Sequence, residues 1–151
     1  MKVAEALSIR KDLQNKVAQL QGRIQNNVKV QEGDAPAEDP AELLEELDAC
    51  LTQLEKIVYR INRTNMHTVN AQGETVTQLM ARKDVLTQRI GVLRAVFAKA
   101  SESQSRYSRT EIKQVTLIDV KDLGKQIDRL SAQLRTLDVE IQALNFATEL
   151  E

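Results

Sequence analysis

Val120, Leu123, Ile127, Leu130, Leu134, Leu137, Ile141 and Leu144 recur at alternating spacings of three and four without a miss. On an α-helix that pattern keeps one apolar stripe in line for about seven turns, roughly 37 Å at 1.5 Å per residue. Three further segments carry weaker versions of it. The chain therefore reads as an all-α protein, a set of long helices that must bury their stripes on each other.

Composition sharpens this. Aromatic residues make up 3% of the chain and Trp is absent, so the core has to be built from Leu, Ile and Val. Five Gly and two Pro leave little room for a turn-rich β protein. With 42% hydrophobic and 28% charged residues, the balance fits a soluble, charge-coated helical protein. A length of 151 residues suits a single helical domain, 1–151. A net charge of −1 provides no general attraction for nucleic acid, so none is expected as a partner. The longest apolar run, Ala95-Val96-Phe97-Ala98, falls far short of the roughly 20 residues that span a bilayer, and no membrane partner is expected. Glu5 lies where a signal peptide needs an apolar core, which makes a cytoplasmic location the default expectation. Cys50 is the single cysteine; seven residues from both Leu43 and Ile57, it reads as a small buried hydrophobe.

The pattern predicts helices over about 2–30, 41–65, 75–100 and 120–145. The first has seam positions Val3, Ala6, Arg10, Leu13, Val17, Leu20, Ile24 and Asn27. A loop follows, and Asp39, Pro40 and Glu42 make an N-cap with a capping-box pattern. The second helix takes Leu44, Leu47, Leu51, Leu54, Val58 and Ile61 as its seam, with Leu43, Cys50 and Ile57 on one flank. Met66 to Glu74 is a polar connector. The third helix takes Val76, Leu79, Lys83, Leu86, Ile90, Leu93 and Phe97. Ser101 to Arg109 is polar, and 112–118, rich in β-branched residues, leaves room for a short extended segment before Asp119 caps the fourth helix.

The seam flanks separate a two-stranded coil from a bundle. A two-stranded coil wants charged flanks for interhelical ion pairs. The second helix instead widens its apolar face, and the fourth flanks its seam with Gly124, Gln126, Ser131 and Gln133. Wide faces ask for more than one neighbour, which favours antiparallel helical hairpins in a four-helix bundle or coiled-coil-like assembly. A weak repeat agrees: Arg10, Leu13, Lys16, Val17 and Leu20 align with Lys83, Leu86, Arg89, Ile90 and Leu93.

Arg10 and Lys83 occupy seam positions where apolar residues belong. An unpaired buried cation is very costly, so each must meet a carboxylate, reach solvent or bind an anion. One reading makes them an inward-facing site for an anionic ligand; the plainer one makes them ion-paired residues that set register. Arg106, Tyr107 and Arg109 sit in a serine-rich tract whose side chains all suit phosphate, although no glycine-rich cradle accompanies them. Arg106, Arg109 and Lys113 are also opposite in sign to the first loop (Glu32, Asp34, Glu38, Asp39), which predicts docking between the two. Asn62, Arg63 and Asn65 close the second helix as helix-end or interface polar residues, with cations near the negative end of the helix dipole. His67 is the single histidine and has no Cys around it, so no metal site is expected. No Ser-His-Asp set, Cys-His pair or phosphate loop stands out, so no catalytic residue, no cofactor and no enzymatic activity are expected.

The polar punctuation of the chain resembles a small bacterial family labelled septicolysin-like. The tracts that carry the resemblance are Ile9–Gln14, Lys29–Gly33, Ala37–Pro40, Arg60–Asn65, Ala81–Leu86, Arg106–Lys113 and Leu144–Leu150. The label implies a membrane-active cytolysin, and the resemblance assigns no role to any residue. It directs attention to the helix ends and loops. The residues themselves point to a non-enzymatic, self-associating homo-oligomer with a structural or interaction role. Binding of an anionic small molecule or polyanion is the alternative.

Overall fold

A computed structural model describes residues 1–102 and 112–151. They form four α-helices in antiparallel hairpins, α1 (Val3–Asn27), α2 (Pro40–His67), α3 (Val76–Ala100) and α4 (Val120–Ala147), with no strand among the described residues. Short polar side chains set the helix ends. Asn27 stops α1: its side-chain NH2 donates to the Arg23 carbonyl at 2.8 Å, and its side-chain oxygen accepts the Glu38 N–H at 3.0 Å. The sequence pattern carried that helix on to residue 30; Asn27 ends it earlier because it satisfies the helix terminus and the returning loop together. Asp39 caps α2 by accepting the Ala41 N–H at 2.9 Å, with Pro40 at the first helical position. Asp119 caps α4 in the same way through the Asp122 N–H at 3.0 Å.

The connector after α2 is an ordered turn built on Asn70, whose side-chain oxygen accepts the N–H groups of Gln72 and Glu74 at 3.0 and 2.9 Å. Gly73, at φ +80°, supplies the left-handed residue that closes it. Residues 112–118 adopt neither helix nor strand and lie exposed. With no described strand beside them to complete a backbone ladder, their β propensity has nothing to act on.

The chain divides into two compact units, one of Met1–Thr77 with Gln142–Glu151 and one of Gln78–Ile141. In the first, α1 and α2 run antiparallel. Leu20, Leu43 and Cys50 make one buried cluster, and Val3, Ala6, Ile57, Ile61 and Leu150 make another. Lys16 to Glu46 at 2.7 Å and Arg23 to Glu38 stitch the hairpin edge. In the second unit, Ile90 of α3 packs with Leu123, Ile127 and Leu130 of α4, joined by Leu86, Leu93, Phe97 and Leu134. The uninterrupted stripe on α4 is thus a core seam. Gly124 fits closely under Phe97, where an added Cβ would stand 3.3 Å from the ring.

The face that α2 buries is a correction to the sequence reading. Leu43, Cys50 and Ile57, read as a flank, are buried in the hairpin core, whereas Leu44 and Leu51, read as seam, are 51% and 45% exposed. The apolar arc of α2 is wider than one neighbour can cover. In its unit α1 takes one side of the arc and leaves the other outside.

Truncation of Leu20, fully buried, to Ala is expected to cost about 2–5 kcal/mol, because the hairpin cannot collapse into the space left behind. Leu44→Ala is expected to cost well under half of that. Urea denaturation followed by helix circular dichroism measures both.

Candidate functional site

The densest polar constellation lies where α2 ends. Arg60-Ile61-Asn62-Arg63-Thr64-Asn65 puts apolar and small residues on the buried face and cations on the rim. The last residues of the chain run across this end. The Arg60 Nε–H donates to the Glu151 carbonyl at 2.8 Å, and a second guanidinium nitrogen donates to the Leu150 carbonyl at 3.4 Å. The Thr64 hydroxyl donates to the Arg60 carbonyl at 2.9 Å and accepts the Glu151 N–H at 3.0 Å. The Glu151 carboxylate lies 3.3 Å from both Arg63 Nε and His67 Nδ1. Between these contacts the Leu150 side chain is buried beside Val3, Ala6, Ile57 and Ile61.

The first residues complete the clasp. The Val3 N–H donates to the Thr148 carbonyl at 3.0 Å, and the Leu150 N–H donates to the Met1 carbonyl at 2.8 Å. Lys2 Nζ reaches the Ala147 carbonyl, an acceptor at the negative end of α4, and the Glu149 carboxylate, each at 2.8 Å. The Met1 ammonium holds the other Glu149 oxygen at 2.9 Å. Hydrogen bonds from Lys2 and then from the Met1 ammonium lower the Glu149 pKa to about 2. Every cation facing the tail already has a carboxylate or carbonyl. No group of three or more His, Cys, Asp or Glu able to hold a metal occurs among the described residues. As chemistry, the arrangement is a latch.

Of the residues singled out from sequence, Arg63 belongs to this latch, and Asn65 is buried beside it. Asn62 faces outward and lines a shallow groove with Leu51, Leu54, Glu55, Val58 and Tyr59. Lys83 pairs with Asp138 across the α3–α4 hairpin, the ion-paired reading of that position. Arg10 is half-buried on α1 and makes no ion pair among the described residues. It lies in the first unit and Lys83 in the second. Arg106, Tyr107 and Arg109 lie outside the described residues, and so does the expected docking of Arg106 and Arg109 on the first loop; Lys113, the third cation of that expectation, is exposed. In that loop Glu38 is held by Arg23 instead, with the Nε–H 3.1 and 3.2 Å from the two carboxylate oxygens, and Arg23 keeps the Glu38 pKa below the usual range.

Sequence reasoning missed Thr64, Glu149, Leu150 and Glu151. The available signal was a lone Leu between two acids after the α4 stripe ends, opposite in sign to the Arg60–Arg63 pair.

The chain belongs to a family of unknown function, DUF6847, whose model matches residues 10–150. It is similar to a functionally unknown conserved protein from Corynebacterium diphtheriae. That crystal structure has a TM-score of 0.93 at 38% sequence identity, covering 100% of this chain and 99% of that one. No curated protein matches the chain.

Two measurements test the latch. Thr64→Val removes the hydroxyl and leaves the Glu151 N–H without its acceptor, an expected loss of about 1–2 kcal/mol in chemical denaturation. Glu149 is ionised above its ordinary pKa of 4.5, and its contribution to latching is lost as pH falls toward about 2. Protection factors of the Leu150 and Val3 amides should therefore drop across that window. Glu149→Gln should be low and flat throughout; a flat wild-type profile would show that the cations do not hold the tail.

Proposed function

We propose that this protein is a non-enzymatic, self-associating helical protein with a structural or protein-interaction role. The observation that supports this reading is the outer face of α2. Leu44 and Leu51 are exposed with Val58 half-buried in the same row, and Tyr59 beside them is 65% exposed. Single exposed apolar residues are ordinary, but a row at heptad spacing on a helix already packed on its other side is what partner helices bury. Multi-angle light scattering tests it. A mass above the 17.0 kDa of one chain, rising with concentration, is the expected result. A 17.0 kDa species at every concentration, including millimolar, overturns the proposal.

Two other readings have narrower support. Anion binding would draw on Arg10, since Lys83 is committed to Asp138. A shift in melting temperature with millimolar phosphate or sulfate that Arg10→Gln abolishes would establish it, and no shift removes it. The membrane-active reading attached to the septicolysin-like resemblance draws on Ile112 and Leu117, which are 90% and 91% exposed. Among the described residues no helix is long and apolar enough to cross a membrane, so such an action would be at the surface. Dye-loaded liposomes that stay intact with the protein present dispose of that reading.

A further inference from the structure

The two edges of the α1–α2 hairpin differ. Among the described residues, one edge carries every ion pair that α1 makes with α2 and the loop before it: Lys16 with Glu46, and Arg23 with Glu38 and Glu46. The opposite edge carries none of them. There Leu7, Arg10, Gln14, Val17 and Gln21 follow at spacings of three and four along α1. Leu44, Leu47, Leu51, Leu54 and Val58 follow at the same spacings along α2. Leu7, Leu54 and Val58 pack inward against one core cluster, Val17 and Leu47 against the other, and all five stay half-buried. Gln14, Gln21, Leu44 and Leu51 are exposed. The one cation in these two rows is Arg10, half-buried and without an ion pair among the described residues.

The register of the hairpin sets the two rows level with each other. Lys16 meets Glu46, and Ala6 shares its cluster with Ile57. On that register Val17 stands level with Leu47, Gln14 with Leu51 and Arg10 with Leu54. Next to Leu54, on the outer rim of the shallow groove that it forms with Leu51, lies Glu55, which is exposed and also makes no ion pair among the described residues. Arg10 sits beside the seam and Glu55 on the rim, so the chain by itself leaves both charges unmet.

A second copy related by a two-fold axis along the helices meets both needs. α1 of each copy then runs antiparallel to α2 of the other, at the levels already used within one chain, and two hairpins close into a four-helix bundle. Leu44, Leu47 and Leu51 are covered by Val17 and the aliphatic stems of Gln14 and Gln21, and Arg10 comes level with the other copy's Glu55. A two-fold axis across the helices would set α2 against α2 instead. It would bring Asp48 and Glu55 of the two copies together and leave Arg10 without a carboxylate.

We propose that the apolar edge of the first hairpin is covered by the same edge of a second copy of this chain, with Arg10 of each copy paired to Glu55 of the other. This rests on the self-association reading above and gives it a face and a register.

Charge reversal tests the pairing. Arg10→Glu alone opposes carboxylates at both symmetry-related contacts, and Glu55→Arg alone opposes guanidinium groups at both. Each is expected to weaken association about tenfold or more by analytical ultracentrifugation at low salt, with helix content by circular dichroism unchanged. An equimolar mixture of the two variants restores opposite charges at both contacts and should associate again as a heterodimer, which repair of a damaged fold could not produce. If the wild-type chain is monomeric, self-association and this interface fall together. If it associates but neither reversal weakens it, or the mixture does not recover, the copies meet through another face and only this pairing is overturned.

Discussion

Two helices packed side by side can cover one face of each other and no more, and this limit governs what the molecule hides and what it shows. The core of each unit is a single seam of Leu, Ile and Val, closed by Ala6 and Cys50 in the first hairpin and by the Gly124–Phe97 approach in the second. With 3% aromatic residues, both cores are built mainly from aliphatic side chains, Phe97 packing against the second. What lies beyond the seam therefore meets solvent, including Leu44 and Leu51 on α2 and Val85 and Val92 on α3.

The ion pairs follow the same geometry. Lys16 with Glu46, Arg23 with Glu38, and Lys83 with Asp138 all run along hairpin edges, where both partners keep contact with water. In such positions they add little to stability and more to alignment, holding antiparallel helices in one register. The latch at the end of α2 is the more demanding structure. It combines a buried leucine, backbone pairing and charge at one place, so the end of α4 is tied to the start of α1 within the first unit.

Much of this was legible in the residues. The stripe of α4, the caps at Asp39 and Asp119 and the buried Cys50 are local or periodic signals, and short-range geometry turns them directly into structure. The seam of α2 was misread by one position around the helix, because an apolar arc broader than its neighbour does not say which part the neighbour will take. The latch was only half legible. Arg60 and Arg63 stood out as charges at a helix end, but the Glu151 carbonyl that Arg60 meets and the Glu151 carboxylate that Arg63 meets are more than 80 residues away in sequence.

By itself, then, the amino-acid sequence determined four helices, the caps that start α2 and α4 and the residue types of the core, since helical periodicity and capping act over a few residues. Only the tertiary structure decided which side of each apolar arc is buried, that Lys83 meets Asp138, and that the tail docks on Arg60 and Thr64. Those choices depend on which distant segments come together. A pattern of spacings contains the faces available for contact but not their assignment to partners.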